Sequence, residues 1–480
     1  MVFSSLTFLM FFLLIVLLFY FISKDKYKNL ILLVFSLIFY AWGEPKYIIL
    51  MIISIVVNYF IAILIDKNRN RNVVSKILLI LSVLLNIGIL FIFKYSDFFI
   101  ENINKLFNLK MSFLGLILPI GISFYTFQLL SYVLDVYKNK VEVQKNIFDL
   151  GTYVALFPQL IAGPIVRYET IEKELRNRVH SLDKVLQGLR RFIIGLAKKV
   201  ILANNLGFIA DHIISKSEIG LYGSLIAWIG MIAYTLQIYY DFSGYSDMAI
   251  GLGKIFGFSF LENFNYPYIS KSITDFWRRW HISLSSWFKD YVYIPLGGNR
   301  VSKLKFIRNI FVVWFLTGFW HGASWNFIIW GLYFGLLLLI EKLFLKRIID
   351  RMPELLKWIY SFILIVIGWT IFRNIELETI ASLLSKMFIF EKTNWIQFIR
   401  ENYEILNYVI FLILGIIGMF PYIGNVISNF ENSNNFKRII INIYIFIIFV
   451  VSIGFLVNAT YNPFIYFRFW LYENISLKRG

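Results

Sequence analysis

The sequence predicts an all-α protein that crosses a membrane several times. Of its 480 residues, 59% are hydrophobic and 16% are charged, and the mean hydropathy is +0.70. A soluble domain needs more polar residues than this to cover its surface. The chain carries no repeat, low-complexity tract or linker that would divide it. We therefore expect one integral membrane domain that covers residues 1–480.

Long apolar runs mark the predicted membrane segments. Several of them are shorter than the roughly 20 residues that cross a bilayer, so we expect some to be tilted, re-entrant or extended by amphipathic ends. The first run is interpreted as a retained span, because no small-residue cleavage site follows it. The runs cover residues 2–22, 30–42, 48–65, 77–93, 114–134, 150–166, 220–240, 306–320, 323–340, 358–372, 405–420 and 439–457.

The net charge of +18 comes from short basic segments between these runs. This distribution is typical of the positive-inside bias of membrane proteins, so we expect no nucleic-acid partner. If the basic segments are cytoplasmic, both ends of 150–166 and of 306–340 need the same side of the membrane. We expect re-entrant helices or hairpins there. The polar stretch 170–199 predicts an amphipathic helix on the cytoplasmic membrane face, and the stretch 261–305 is expected to fold back into the protein.

His321 is the first candidate for chemistry. It is one of four histidines and lies in Thr317-Gly-Phe-Trp-His-Gly322, between two apolar runs. An ionisable side chain at membrane depth is costly and usually functional; a hydrogen bond between packed helices is the alternative. The lack of cysteine excludes disulfides, thiolate zinc sites and a cysteine acyl-enzyme. With so few histidines and no ligand cluster, we expect no metal site.

The segment 275–285 holds an acid, two arginines, two tryptophans, a histidine and two serines. If it is one helix, Trp277, Arg278 and His281 share a face. Arginine suits phosphate, and an aromatic wall suits an adenine ring or a lipid chain. Tryptophan and arginine are also enriched at the headgroup level of membranes, so a binding site and an interfacial anchor both remain open.

Two carboxylates, Asp241 and Asp247, lie among hydroxyl groups at the end of an apolar run. Carboxylates near a membrane often pair with cations or orient a histidine. The sequence modestly favours a simpler interpretation, in which Asp241 or Ser243 caps a helix at a break. His180 and His212 are expected to be surface or structural groups.

Several motifs together resemble the membrane-bound O-acyltransferase superfamily. Within it, the chain is similar to the membrane subunit of bacterial polysaccharide O-acetylation, the alginate O-acetyltransferase type, and a related branch D-alanylates teichoic acids. The motifs are MVFSSLTFL from Met1, FYAWGEPKY from Phe39, LPIGISFYTFQLLSYVLDVY from Leu118, FPQLIAGPIVRY from Phe157, QIYYDFSGYSDMAIGLGKIFGF from Gln237, NFNYPYISKSITDFWRRWHISLSSWFKDYVYIPLGGNR from Asn263, TGFWHGASWNFIIWG from Thr317 and NPFIYFRFW from Asn462.

The resemblance implies a bundle of about eleven transmembrane helices, with re-entrant and amphipathic helices around a central tunnel. It implies that His321 is the catalytic histidine and that His281 occupies the second signature position, also as a catalytic residue, where it holds the donor or acceptor or stabilises developing charge. His321 is then a general base for the acceptor hydroxyl. The residues that we expect to contact substrate are Trp277, Arg278, Arg279, Trp280, Ser285, Lys289, Asp241, Trp320 and Asn326.

The resemblance also implies the substrates and partners. The donor is acetyl-coenzyme A or another acyl thioester from the cytoplasm, and no cofactor is expected to be bound. The acceptor pathway leads to an extracytoplasmic polysaccharide through a separate acetyltransferase of the SGNH-hydrolase-like type, at the lipid membrane of a bacterial cell. The alternatives are D-alanyl transfer to teichoic acid from a carrier-protein thioester, a proton-coupled transporter or flippase with Asp241 or Asp247 as counter-ion of His321, and a scaffold for export.

Overall fold

Helices form all the regular secondary structure in the residues that the structure describes, namely 1–217, 223–389, 391–431 and 433–458. The structure is a computed structural model. The apolar runs of the sequence favour this outcome, because a helix satisfies its backbone hydrogen bonds within itself. The all-α prediction is confirmed. The motif at 462–470 and the start of the apolar run at 220–240 lie outside the described residues.

Contacts within the chain define two compact units. The first comprises residues 1–192 and 245–261. Its helices are α1 (Leu13–Ile22), α2 (Lys28–Gly43), α3 (Ile48–Lys67), α4 (Asn72–Lys94), α5 (Ser96–Phe107), α6 (Ile122–Tyr137), α7 (Ile147–Ala155), α8 (Phe157–Leu160), α9 (Tyr168–Arg176) and the start of α10 (Leu182–Ala197), with short π and 3-10 turns at Phe8–Phe12 and Asp25–Tyr27.

The second unit comprises residues 193–244 and the chain from 262 onwards. Its helices are α11 (Asn204–Ser217), most of α12 (Ser224–Ile255), α13 (Ile273–Arg279), α14 (Ile282–Phe288), α15 (Lys303–His321), α16 (Trp325–Ile340), α17 (Lys346–Arg351), α18 (Glu354–Arg373), α19 (Leu377–Phe388), α20 (Trp395–Glu401), α21 (Tyr403–Leu406), α22 (Val409–Gly418), α23 (Tyr422–Glu431) and α24 (Asn435–Asn458), with short π turns at Lys198–Ala203, Lys289–Tyr293 and Glu341–Leu345 and a 3-10 turn at Pro267–Ile269.

Six helical stretches among the described residues are long and apolar enough to cross a membrane. The bent pair α22 and α23, which meet at 65°, makes seven if it forms one span. Other predicted runs lie in elements outside this set, such as α1 and α12. The prediction of a multi-pass membrane protein is confirmed. The six stretches are Ile48–Lys67, Asn72–Lys94, Leu182–Ser215, Trp325–Arg351, Glu354–Arg373 and Asn435–Asn458.

The predicted irregular segment at 150–166 is interrupted and buried. Helix α7 ends at Ala155, the four-residue helix α8 follows, and the chain is then non-helical up to α9. Side chains satisfy part of the freed backbone: the Gln159 amide donates to the Tyr153 carbonyl, and the Tyr153 hydroxyl donates to the Val166 carbonyl at 3.1 Å. Buried irregular backbone with side-chain partners is what the sequence argument anticipated here.

The second such segment, 306–340, is a helical hairpin. Helices α15 and α16 are joined by the three residues 322–324. Glycine allows their backbones to touch: a Cβ on Gly318 would lie 3.3 Å from the Gly331 Cα, and closer still to the Phe327 carbonyl oxygen. Small residues at such crossings allow close helix packing. The hairpin turn carries His321 at its first edge.

The predicted amphipathic helix at 170–199 needs a correction. The structure forms two helices, α9 and α10, separated by residues 177–181, and α10 begins the apolar stretch Leu182–Ser215. The Arg178 guanidinium donates to the Asn29 side chain and its Cζ lies 4.6 Å from the Phe258 ring centroid. These tertiary contacts hold the chain out of helical geometry at a point where the local pattern alone favours one helix.

Candidate active site

His321 is the last residue of α15, at the edge of the hairpin turn. Its ring lies among aromatic side chains: the ring centroids of Trp320 and Trp330 are each 5.0 Å away, and that of Phe372 is 5.2 Å away. The Trp330 and Phe372 rings meet the imidazole almost perpendicularly. The side chain is half-buried. Three aromatic rings therefore fix its plane, while part of the side chain remains exposed.

The structure brings the second histidine to the same cluster. The His281 ring centroid lies 6.2 Å from that of Trp320, the residue that His321 contacts at 5.0 Å. The Phe242 ring packs edge-on against His281 at 4.7 Å. Both histidines and Trp320 belong to the same compact unit, so these distances describe one site. The two histidines that the sequence singles out thus share one indole.

His281 lies at a helix break, which corrects the prediction of a shared helical face. Helix α13 ends at Arg279, and His281 has φ 44° and ψ 55° before α14 begins. Left-handed backbone at a non-glycine residue is uncommon and is often found at functional sites. His281 is 1% exposed, and burial lowers the pKa of its imidazole to about 3. The imidazole is therefore neutral at pH 7.

Asn263 holds this break together. Its main-chain carbonyl accepts the Ile282 N–H at 3.0 Å, and its side-chain Oδ1 accepts the Ser283 N–H at 3.2 Å and the Ser283 hydroxyl at 2.9 Å. These contacts satisfy backbone donors at the start of α14 that have no partner within the helix. The same Oδ1 lies 3.1 Å from His281 Nδ1. In the described part of the chain, His281 Nε2 has no hydrogen-bond partner.

Glu341 anchors the other end of the same element. Its carboxylate accepts the main-chain N–H groups of Ile273 and Thr274 at 2.6 and 2.9 Å, and the Thr274 hydroxyl at 2.8 Å. The side chain is 3% exposed. A carboxylate at a helix N-terminus matches the free N–H groups and the positive end of the helix dipole. Helix α13 is therefore held at its start by α16 and its neighbouring turn.

Asp241 and Asp247 do not cap a break, because α12 continues through both of them. Asp241 forms an ion pair with Lys199 at 2.5 Å, and both side chains are almost fully buried. Asp247 pairs with Arg191 at 2.6 Å. The capping interpretation is wrong, and the alternative of pairing with cations describes both carboxylates. The neighbouring hydroxyl groups in the sequence suggested a turn. In the structure, α12 packs against the segment that carries Arg191 and Lys199, and these two side chains pair with the carboxylates.

The other predicted substrate contacts fall into two groups. Trp277 and Trp280 are buried in the aromatic cluster, at 5.5 Å from Trp330 and 4.7 Å from Trp369 respectively. Trp320 is 5% exposed, and Asn326 is fully buried and donates to the Phe372 carbonyl at 3.2 Å. The remaining four lie towards solvent or lipid: Arg278 and Lys289 are exposed, Ser285 is half-buried, and Arg279 pairs with Asp275 at 3.0 Å.

Several residues of the site were not predicted. Trp330 and Phe372 contact His321, Phe242 contacts His281, Trp369 contacts Trp280, and Asn263 holds His281. The aromatic residues gave no separable signal, because aromatic residues are frequent throughout this chain. Asn263 begins the longest of the family motifs, and this position was its sequence signal; the structure shows that its side chain is 0% exposed.

The other two histidines, His180 and His212, each lie at hydrogen-bond distance from a side chain outside this site. The His180 ring lies 2.8 Å from the Tyr20 hydroxyl, and the His212 ring lies 2.8 Å from Asn402 Oδ1. Both arrangements agree with the structural roles that the sequence favours. Among the residues that the structure describes, no three His, Asp or Glu side chains come together to hold a metal ion; that no metal is needed stays a prediction.

Comparisons of the sequence with known proteins identify its family. The profile of the membrane-bound O-acyltransferase family matches residues 141–375, which include both histidines. The chain is 44% identical over 406 residues to a protein of Pseudomonas aeruginosa named "Probable alginate O-acetylase", covering 84% of this chain and 78% of that protein. It is 38% identical over 425 residues to the peptidoglycan O-acetyltransferase of Helicobacter pylori, covering 81% and 80%.

A more distant relative is the teichoic acid D-alanyltransferase of Bacillus subtilis, 32% identical over 261 residues, which cover 52% of this chain and 63% of that protein. These likenesses confirm the resemblance that the motifs carry, including its D-alanyl branch. They extend well beyond the region around the two histidines. The chain belongs to the membrane-bound O-acyltransferase family.

Proposed function

We propose that this enzyme transfers an acetyl group from a cytoplasmic thioester, such as acetyl-coenzyme A, for O-acetylation of an extracytoplasmic polysaccharide. The proposal is supported by family membership and by relatives that are named for O-acetylation of two different glycans. The observation that carries it is the placement of His321 at the hairpin turn, in contact with the indole that also contacts His281. The site lies in the cytoplasmic membrane of a bacterium under this proposal.

His321 acts as the general base of the transfer. It takes the proton of the acceptor hydroxyl while the hydroxyl oxygen attacks the thioester carbonyl; the new C–O bond forms and the C–S bond breaks. The imidazolium then returns the proton to the departing thiolate, which leaves as a thiol. The C-terminal end of α15 favours this transient positive charge by about 0.3–1 kcal/mol. General base catalysis of this kind contributes roughly 10²–10⁴-fold.

The first acceptor is proposed to be a hydroxyl of a separate extracytoplasmic acetyltransferase of the SGNH-hydrolase-like type, which then acetylates the polysaccharide. This part of the proposal is supported by the resemblance to the membrane subunit of polysaccharide O-acetylation and by the six or seven candidate membrane spans among the described residues. Co-purification of an acetylated protein partner from the native membrane tests this part. Acetylation of the polysaccharide by the membrane protein alone would contradict it.

Labelled acetyl transfer in inside-out membrane vesicles tests the central claim. Acetyl-labelled coenzyme A is offered on the outside, which is the cytoplasmic face, and labelled product is collected from the lumen. His321→Asn is expected to lower transfer by at least about 100-fold, with unchanged membrane insertion. His212→Asn makes the same chemical change at a histidine bonded to Asn402, and it is the matched control. Retained transfer in His321→Asn would refute the assignment.

D-alanyl transfer is the second candidate, and the Bacillus subtilis relative favours it. The same vesicles discriminate the two functions when they are offered a D-alanyl carrier-protein thioester in place of the acetyl donor. Transfer of D-alanine without transfer of acetyl would select this alternative.

A transporter is disfavoured by the family membership, and its proposed counter-ions Asp241 and Asp247 pair with Lys199 and Arg191.

A further inference from the structure

The contacts of His281 determine which of its two ring nitrogens carries the proton. The atom of Asn263 that faces Nδ1 also receives the main-chain N–H of Ser283 at 3.2 Å. A backbone N–H can only donate, so that atom must be the amide oxygen, whatever orientation is assigned to the amide group. A flipped amide would direct its NH₂ group at this N–H and lose that bond; the Ser283 hydroxyl could accept from the NH₂ group, but the main-chain N–H could not.

The amide oxygen can only accept, and it lies 3.1 Å from His281 Nδ1. Nδ1 must therefore carry the proton to avoid placing two lone pairs against each other. The competing arrangement would have the Ser283 hydroxyl donate to an unprotonated Nδ1, but that distance is 3.5 Å, whereas the same hydroxyl lies 2.9 Å from the Asn263 oxygen. The two shorter distances, 3.1 Å from Nδ1 to the Asn263 oxygen and 2.9 Å from the Ser283 hydroxyl to the same oxygen, therefore favour the Nδ1–H form.

We propose that Asn263 is a positioning residue that holds His281 as the Nδ1–H tautomer, so that Nε2 presents an unprotonated lone pair to an N–H or O–H group of the bound substrate. This inference rests on the proposed function and assigns the role of the second histidine. Nε2 is buried and has no hydrogen-bond partner within the described residues, as expected of an atom whose partner arrives with the substrate. In this form, His281 cannot donate to the developing oxyanion of the thioester.

The strained backbone supports a functional role for this geometry. His281 adopts φ 44°, which costs of order 1–3 kcal/mol for a residue other than glycine. Asn263 holds the break on both sides, with its carbonyl on Ile282 and its side chain on Ser283. A single buried residue thus sets both the direction of the ring and the position of its proton. In enzymes that orient a histidine by one nitrogen, the tautomer decides whether the other nitrogen can accept a proton.

Nitrogen NMR of the histidines tests the tautomer directly. With ¹⁵N-labelled histidine the protein gives only four imidazole signal pairs, and His281→Asn identifies the one that belongs to His281. The expected result is a protonated Nδ1 and an unprotonated Nε2 in the unmodified protein. A proton on Nε2 of His281 would overturn the proposal. This measurement needs no transfer reaction, so it can succeed even if the enzyme proves inactive with acetyl donors.

Three variants then connect the tautomer to activity. Asn263→Leu removes the acceptor at similar volume, and we expect a mixed tautomer and a loss of transfer exceeding about tenfold. Asn263→Asp keeps an oxygen acceptor facing Nδ1, and it is expected to restore the tautomer and most of the activity. Ser283→Ala removes the competing hydroxyl and should leave the tautomer unchanged. Unfolding midpoints identify any variant that fails to fold, in which case the unmodified protein and Asn263→Asp decide.

The substrate group that meets Nε2 is identified by the Michaelis constants of Asn263→Leu. An increase in KM for the acyl donor alone would place the N–H on the amide-containing arm of the donor. An increase in KM for the acceptor alone would place the O–H on the acceptor. Equal activity and an unchanged tautomer in Asn263→Leu would contradict the role of Asn263.

Discussion

Loss of the Asp241 carboxylate is predicted to destabilise the protein without removing a substrate contact. The Lys199 and Asp241 side chains are 3% and 2% exposed and lie 2.5 Å apart. A Cβ on Gly244 would lie 2.7 Å from the Gly195 carbonyl oxygen and 3.1 Å from the main-chain nitrogen of Lys199. The backbones of α12 and of the segment before the Lys198–Ala203 turn are therefore in close contact, which leaves little room for water around the pair.

Asp241→Asn leaves the Lys199 ammonium buried beside a neutral amide. Breaking a buried ion pair from one side costs about 3–5 kcal/mol, which corresponds to more than a hundredfold change in the unfolding equilibrium constant. Replacing both partners by apolar residues of similar volume is often neutral or stabilising. The double variant Lys199→Met, Asp241→Leu is therefore expected to recover most of the free energy of unfolding, together with acetyl transfer.

Denaturant titration of the purified protein in detergent measures the free energy of unfolding of each variant, and the vesicle assay measures acetyl transfer by the same variants. A cost below about 1 kcal/mol for Asp241→Asn would show that the pair is worth no more than an exposed one. A double variant that is stable but inactive would indicate that Asp241 contacts the substrate, and it would refute the structural interpretation. The single variants Lys199→Met and Asp241→Leu, measured beside this double variant, give the coupling energy of the pair.

Three further predictions concern packing, anchoring and pH. Gly318→Ala at the hairpin crossing is expected to lower the free energy of unfolding by about 1–3 kcal/mol and to lower transfer by displacing the turn. Gly454→Ala, whose Cβ would meet no atom within 4 Å, is the control and should leave stability unchanged. Thermal unfolding of both variants measures the difference, and equal midpoints would contradict the close packing at Gly318. Glu341→Gln removes the charge and places an NH₂ group against backbone donors, and a loss of about 1–3 kcal/mol should appear in denaturant titration; unchanged stability would argue against the anchor. Burial lowers the pKa of His180, so the unfolded chain takes up the proton first and stability should fall as the pH drops below about 6.5; His180→Gln should flatten unfolding midpoints measured from pH 5 to 8, and an unchanged slope would contradict this.

Much of the fold was predictable from the distribution of apolar and basic residues. The hairpin at 306–340 follows from a conflict, since both of its ends need the same side of the membrane, and the structure resolves that conflict with a turn at 322–324. His321 could be found for a related reason, because an ionisable group between two apolar runs has few structural justifications. Properties that depend on the order of residues along the chain were accessible in this way.

Contacts between distant segments were not accessible. The separation of α9 from α10 depends on Arg178, which reaches Asn29 about 150 residues earlier in the chain. The ion pairs of Asp241 and Asp247 depend on which cations α10 and its extension bring near α12. Hydroxyls and carboxylates next to each other in sequence favour a local cap, and nothing local shows that a buried cation will satisfy the carboxylate instead.

The break at His281 shows most clearly how tertiary structure decides the chemistry of this site. No proline or glycine lies between Asp275 and Ser285, so local propensity allows one continuous helix. The chain is instead held at both ends from outside: Glu341 binds the N–H groups that begin α13, and Asn263 binds those that begin α14. With both anchors in place, the first backbone N–H groups of each short helix have hydrogen-bond partners, so the break leaves fewer of these donors unpaired. Trp280 and His281 lie between the two helices, and His281 takes a left-handed conformation with its ring in the aromatic cluster. A loss of either anchor should therefore affect the same histidine, and the variants of Glu341 and Asn263 are expected to shift the same imidazole signal.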